Sequence, residues 1–245
     1  MKKSSGLNGF GRFSLHFFKQ WLDKYEKSNF TIDYINDEKL SIKEILKILM
    51  SDYKISFKDY KFSEKKKYII VSFRKKIIKI LVTKNKSHNI SWIGEPEIFF
   101  ECSGLNTSKA KSKKFLKKKT KFILISATSY DCDRTIINGF NDTILNNKDR
   151  IISYGSCTVN AFTVLANELN KKFKILKSDV NIIHNLPRYK ILKNKTLIRK
   201  DCTLERMGPK LLNFLNSNNF NVNYTMVPFD GISIMDFHFV TKKNK

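Results

Sequence analysis

The sequence predicts an α/β fold, a mostly parallel sheet covered by helices, followed by a smaller α+β region. Strand-like and helix-like segments alternate along the first part of the chain, which is the signature of parallel strands joined by helical crossovers. After about residue 153 that alternation gives way to long runs of alternating polarity. The chain has 245 residues, 41% of them hydrophobic, enough for one large or two ordinary domains with real cores. The expected domains are therefore 1–153 and 154–245.

Each element has its own warrant. The first stretch, Met1 to Ser5, is polar for a central strand. A helix is expected from Phe13 to Tyr25, with Phe13, Phe17, Trp21 and Tyr25 on one stripe and Phe18 and Leu22 beside it. Phe30 to Ile35 reads as a strand. Ser41 with Glu44 forms a capping-box pattern opening a helix to Met50. Tyr68 to Phe73 and Ile77 to Val82 read as paired strands, and Ile98 to Cys102 as a strand that breaks at Ser103-Gly104. A helix over Thr107 to Lys119 and a buried strand over Phe122 to Ile125 follow. In the second region, Arg150 to Ser153 ends a buried strand. Thr158 to Phe173 has helical spacing at Phe162, Leu165, Ala166, Leu169 and Phe173. Strand patterns at Ser178 to His184 and Ile232 to Val240 flank a polar loop, Asn185 to Lys195, and a helix pattern near Leu211 to Leu215.

Lys and Arg number 47 against 22 Asp and Glu, a formal charge of +25. Lysine is spread along almost the whole chain. The densest block, eight lysines from Lys109 to Lys121, lacks the interleaved arginine and aromatic residues of a base-stacking platform. A compositional bias toward Lys, Asn, Ile and Phe explains this charge better than a nucleic-acid partner does, though a basic RNA-binding protein remains the alternative. Four cysteines show no zinc spacing and no Cys and His fall at ligand spacing, so no metal site is expected. No secretory signal and no membrane-length apolar run is read, which predicts free thiols in a cytoplasmic protein. Cys102, Cys132 and Cys202 read as small apolar fillers.

Two constellations carry chemistry. Gly9-Phe10-Gly11 opens a helix after the possible first strand, with Ser14 at the third small position. Such a turn lets a pyrophosphate approach the backbone at a helix N-terminus. Asp37 ends the second strand and suits a ribose 2′-hydroxyl, which favours NAD. The other is Cys157 in Ser153-Tyr154-Gly155-Ser156-Cys157-Thr158-Val159-Asn160-Ala161, at a strand-to-helix turn. Helix-terminal N–H groups lower a thiol pKa there. His184, 27 residues on, makes a candidate base for that nucleophile.

Together these residues resemble the phosphorylating glyceraldehyde-3-phosphate dehydrogenases. Asn8-Gly9-Phe10-Gly11-Arg12 matches that family's opening motif, and Ile35-Asn36-Asp37 the end of its second strand. Glu101-Cys102-Ser103-Gly104 resembles Glu-Ser-Thr-Gly, Ile125-Ser126-Ala127 resembles Ile-Ser-Ala-Pro, and Gly139-Phe140-Asn141 resembles Gly-Val-Asn. Ser156-Cys157-Thr158-Val159-Asn160 is similar to Ser-Cys-Thr-Thr-Asn. The order is collinear from Leu7 to about Val240.

The resemblance implies a Rossmann-type doubly wound NAD-binding domain followed by a truncated α+β catalytic domain. It implies oxidation of glyceraldehyde 3-phosphate, with NAD and inorganic phosphate, to an acyl phosphate in glycolysis or gluconeogenesis. Erythrose 4-phosphate oxidation, or a decayed and catalytically weak relative, are the alternatives. Cys157 would be the nucleophile and His184 the base. Gly9, Gly11, Arg12 and Phe13 would lie along the pyrophosphate, Asp37 on the ribose and Ser126 near the nicotinamide side. Ser156, Thr158 and Gly208 would border the phosphate sites, and the family's homo-tetramer would be the assembly.

The departures from that pattern set further expectations. Met226-Val227-Pro228-Phe229 stands for Arg-Val-Pro-Thr, so a methionine replaces the substrate-phosphate arginine and cannot make a bidentate ionic contact. Arg206-Met207-Gly208 stands for Ser-Thr-Gly, with Arg206 or Arg199 to supply charge. Leu186-Pro187-Arg188 marks a shortened loop, and Tyr154 replaces an asparagine. The chain stops after the strand Ile232 to Val240, where family members continue.

Overall fold

A computed structural model describes residues 1–186, 191, 195–229 and 231–242. The chain divides into two compact units, Met1–Thr135 with Leu145–Tyr154, and Ile136–Ile144 with Gly155–Lys245.

The first unit is built on a nine-stranded sheet, counted over the described residues. Its strands in chain order are β1 (Lys3–Asn8), β2 (Phe30–Asn36), β3 (Lys61–Lys65), β4 (Tyr68–Phe73), β5 (Lys76–Thr83), β6 (Ile98–Glu101), β7 (Phe122–Ile125), β8 (Arg134–Thr135) and β9 (Ile151–Ser153). The spatial order is β3-β4-β5-β2-β1-β6-β7-β9-β8. From β5 to β8 every neighbour pair is parallel, while β3, β4 and β5 form an antiparallel meander. The doubly wound α/β reading thus holds. β1 has β2 on one side and β6 on the other, so the strand order reverses there. The crevice beyond the carboxyl ends of such strands is where open α/β sheets take ligands.

The polar β1 is a central strand after all, for a local reason. The buried Ser5 donates its hydroxyl to Thr31 O at 2.5 Å, and Ser4 donates to Asp33 Oδ2 at 2.5 Å. A Cβ on Gly6 would stand 2.4 Å from the Trp92 ring, so the indole supplies the apolar cover that β1 lacks. Helix α1 (Arg12–Asp23) buries Leu15, Phe18, Trp21 and Leu22; Phe17 and Tyr25 pack only partly and Phe13 is exposed. Helix α2 (Ile42–Ser51) starts in the expected capping box, with the Ser41 side chain accepting from Glu44 N and Glu44 accepting from Ser41 N.

The long helix expected over Thr107 to Lys119 is only α3 (Lys109–Lys113). Lysines at 109, 113 and 117 repel at i, i+4 spacing, and cations in a first turn oppose the helix dipole. The chain leaves the helix in turns, and Lys118 takes a left-handed φ of 46°. The lysine block is partly neutralised: Lys118 and Lys119 reach Glu95 at 3.4 and 3.5 Å, and Lys121 reaches Glu97 at 3.7 Å.

The second unit is a four-stranded sheet of described residues in the order β11-β12-β10-β13, where β10 is Ile175–Asn185, β11 Ile198–Arg199, β12 Phe220–Val227 and β13 Ile234–Thr241. β10 is parallel to β12 and antiparallel to β13. One face packs on helices α4 (Cys157–Phe173) and α5 (Thr203–Leu211). The buried face of α4 is Val159, Phe162, Thr163 and Ala166, a clean i, i+3, i+4, i+7 stripe, whereas Leu165 and Phe173 are exposed. Leu212 and Leu215 are buried but follow α5 rather than continue it. Asn216 and Asn219 side chains cap backbone N–H groups at 2.7–2.9 Å and favour turns over helix there.

Candidate functional site

Cys157 is the first residue of α4, and Ser156 is its N-cap, accepting from Val159 N at 3.3 Å. The sulfur is solvent-accessible and lies 3.7 Å from His184 Nε2. His184 stands near the end of β10 on the face that carries Val180 and Ile182 into the core. Its Nδ1 lies 2.8 Å from Asn185 O. A carbonyl only accepts, so Nδ1 carries a hydrogen and the neutral ring offers the Nε2 lone pair to the thiol. The His184 contact holds the Cys157 thiol below its ordinary range, against the opposing effect of burial, and the Thr158 N–H helps. Reciprocally, the thiol contact holds the imidazole above its ordinary range. Both shifts favour the ionised forms, a thiolate beside an imidazolium. Burial pushes Tyr224 up to about 12; its ring sits 5.5 Å from the imidazole and stays a neutral wall there.

Beside this pair lies a chain of hydroxyls. Ser156 Oγ is 2.9 Å from Thr158 Oγ1 and 2.8 Å from Thr203 Oγ1. Thr203 is the first residue of α5, so the N-termini of two helices meet at this cluster. Helix N-termini with hydroxyls suit an anion.

The dinucleotide turn is a separate feature of the first unit. Gly9 has φ 95°, and a Cβ there would stand 2.6 Å from the Ser103 backbone, so only glycine fits. Gly11 is the N-cap of α1 with no side-chain cap, no acidic residue follows in the first turn, and a Cβ there would meet nothing within 4 Å. Ser14 is fully buried and donates to Gly9 O at 2.6 Å. Asp37 Oδ2 accepts from Phe10 N at 2.8 Å, and its Oδ1 accepts from Lys39 N and Leu40 N at 2.8 and 2.9 Å. Arg12 pairs with Asp52. Ser126 follows β7, its N–H donating to Glu101 O at 3.0 Å.

No protein-family model matches the chain. Curated proteins do. The chain is 33% identical over 183 residues to a glyceraldehyde-3-phosphate dehydrogenase of Lactobacillus delbrueckii subsp. bulgaricus. It is 32% identical over 192 residues to that of Mycolicibacterium smegmatis and 29% over 182 residues to that of Mycobacterium leprae. Each match covers 73% of this chain and 53% of the relative. The chain is a divergent, glyceraldehyde-3-phosphate dehydrogenase-like protein. It spans about half the length of the curated relatives it matches.

Within this glyceraldehyde-3-phosphate dehydrogenase-like chain, three further residues have definite settings. Gly208 is buried inside α5, where a Cβ would stand 2.7 Å from the Phe220 ring, so its smallness serves packing. The hydroxyl beside Ser156 comes from Thr203, which spacing to Arg206-Met207-Gly208 missed. The signal for it was Thr203 opening a helix-like run after Asp201-Cys202. The Arg199 guanidinium bonds Asn223, which in turn bonds Asn181 at 3.0 Å, on the sheet face opposite the core. Met226 pairs with His184 in the β10–β12 register and shares its face. Pro187 and Arg188 of the shortened loop lie outside the described residues.

Proposed function

We propose that the chain is an NAD-dependent dehydrogenase oxidising glyceraldehyde 3-phosphate to an acyl phosphate through a Cys157 thioester. Residues 1–153 would hold the cofactor and 154–245 would carry the chemistry. The observation that carries this reading is the cysteine–histidine geometry: a helix-terminal sulfur 3.7 Å from an imidazole whose tautomer is fixed by Asn185 O. Relatives named glyceraldehyde-3-phosphate dehydrogenase support it.

The open space at Gly11, the uncapped α1 N-terminus and the close approach at Gly9 fit a dinucleotide pyrophosphate. Gly9, Gly11, Arg12 and Phe13 would border it. The Asp37 carboxylate is held by three backbone N–H groups and keeps acceptor capacity for ribose hydroxyls. Ser126 would lie toward the nicotinamide side. NAD, when bound, takes the hydride from the oxidised carbon.

The remaining steps belong to the chain itself. His184 Nε2 accepts the thiol proton, and the Cys157 sulfur attacks the aldehyde carbon to give a thiohemiacetal. The imidazolium gives its Nε2 proton to the new oxygen while the Cys157 N–H donates to that oxygen, and the now neutral Nε2 takes the proton back as the thioester forms. Inorganic phosphate, held by the Ser156, Thr158 and Thr203 hydroxyls, attacks the thioester and frees the sulfur. Purified protein given NAD, phosphate and glyceraldehyde 3-phosphate is expected to form NADH, followed by absorbance, and Cys157→Ser to abolish it. NAD binding without turnover would instead support a decayed relative.

Met226 favours that second reading in part, because a thioether beside His184 offers no charge to a substrate phosphate. The expected consequence is a high KM for glyceraldehyde 3-phosphate that Met226→Arg lowers while kcat changes less. An unchanged KM in that variant would show that another cation holds the phosphate.

A further inference from the structure

One row of buried polar side chains has no part in the proposed chemistry. Asn8, Asn36 and Glu101 end β1, β2 and β6, and the strand registers set Asn8 beside both of the others. Thr83, the last residue of β5, continues the row beside Asn36. The hydrogen bonds along it run one way. Trp92 Nε1 donates to Thr83 Oγ1 at 3.0 Å, and that hydroxyl donates onward to Asn36 Oδ1 at 2.8 Å. Asn85 N donates to the same Asn36 oxygen at 3.0 Å. Asn36 Nδ2 donates to Asn8 Oδ1 at 2.9 Å, and Asn8 Nδ2 donates to Glu101 Oε2 at 2.7 Å. An indole N–H and a backbone N–H only donate, so neither amide can be turned round. Glu101 is the end of this relay. It also accepts from Asn106 Nδ2 at 3.0 Å, from Ser103 N at 2.8 Å and from the Ser103 hydroxyl. Burial works against its charge, and these four donors support it.

The carboxylate thereby joins two loops. Its Oε2 holds Asn8, the residue before Gly9. Its Oε1 holds Ser103, against whose backbone Gly9 packs so closely that a Cβ would stand 2.6 Å away. These loops follow β1 and β6, neighbours at the point where the strand order reverses, and a ligand crevice opens between such loops. Cβ atoms added at Gly11 and Gly104 would meet nothing within 4 Å, so both loops leave backbone open to a ligand. We propose that Glu101 is a positioning residue for the dinucleotide: its carboxylate sets the spacing between the glycine turn after β1 and the Ser103-Gly104 turn after β6, and so the width of the pyrophosphate crevice. This rests on the reading that the Gly9 turn takes NAD. Glu101 acts through Asn8 and Ser103 and does not itself touch the ligand.

Calorimetric titration of the full chain with NAD tests this. Glu101→Gln keeps the shape but turns one acceptor oxygen into a donor, facing either Ser103 N or the Asn8 amide, and the relay leaves neither free to turn. Its Kd for NAD is expected to rise about tenfold, the effect of one buried donor left unmatched. The KM for NAD should rise with it, while the KM for glyceraldehyde 3-phosphate stays within about twofold. Adding Asn8→Asp to Glu101→Gln returns an acceptor to face the new donor, so the double variant should recover to within about threefold of the unaltered Kd. Asn106→Ala removes a single donor and is the milder variant should Glu101→Gln not fold, as circular dichroism would report; a several-fold rise in Kd is expected. Alkylation of Cys157, in the other unit, should be the same in all of these proteins. Variants that melt at lower temperature yet bind NAD with the unaltered Kd would overturn the assignment and leave the dehydrogenase reading standing. So would a double variant no better than Glu101→Gln. Unaltered protein that binds no NAD would overturn both.

Discussion

Replacing His184 with glutamine is expected to lower NADH formation roughly 10²–10⁴-fold, the usual worth of a positioned general base. The same change should slow iodoacetamide alkylation of Cys157 near neutral pH. In the unaltered protein Cys157 should alkylate before the other three thiols. Burial pushes Cys102 up to about 12 and raises Cys202, while the Cys132 sulfhydryl donates to Arg134 O at 3.2 Å. The pH dependence follows from the signs. The thiol value is depressed, so its thiolate persists below the ordinary thiol range and is lost as pH falls through the depressed value. The imidazole value is raised, so its cation persists above the ordinary imidazole range and is lost as pH rises through the raised value. The ion pair is therefore most populated at pH between those two values. Alkylation of the unaltered protein should therefore level off at lower pH than in His184→Gln, whose profile should move toward that of an ordinary thiol. Identical alkylation profiles in the two proteins would remove the imidazole from the activation of this sulfur.

Much of this site was legible because its parts are local. A thiol in the first turn of a helix and an imidazole at a strand end are set by hydrophobic period and turn chemistry, both visible within a dozen residues of Cys157 and His184. The tautomer of His184 was not, since Asn185 O is a backbone group. The packing of Gly208 against Phe220 was not legible either, because a glycine needed for packing looks the same in sequence as one needed at an anion site. Thr203 escaped because its contact with Ser156 joins residues 47 apart in the chain. Among the fold elements, β1 shows the same limit from the other side. Its polar sequence argued against a central strand, and the compensation comes from Trp92, far along the chain. The lysine run at 109–121 shows tertiary and electrostatic context overriding a helical pattern.

The second large effect is expected from Phe162→Ala, which should destabilise the second unit by about 3–5 kcal/mol. Phe162 is fully buried on α4, and its ring lies 5.2 Å from Phe220, 5.5 Å from Phe237 and 5.9 Å from Phe239. Those three rings come from β12 and β13, the strands on either side of β10. One side chain therefore ties the helix that begins at Cys157 to both neighbours of the strand that carries His184. Its loss forfeits transfer free energy and leaves a cavity that rigid strands refill poorly. A domain has only about 5–15 kcal/mol in total, so amide exchange along α4 should accelerate by orders of magnitude. Leu165→Ala is the matched control: the residue sits on the same helix but is exposed, and a change within about 0.5 kcal/mol is expected. Alkylation of Cys157 should also slow in Phe162→Ala, because a helix that frays from the sheet no longer holds the sulfur 3.7 Å from His184. Exchange along α4 that matched the Leu165→Ala protein would mean that Phe162 does not anchor the helix, and that the geometry of the pair has some other source.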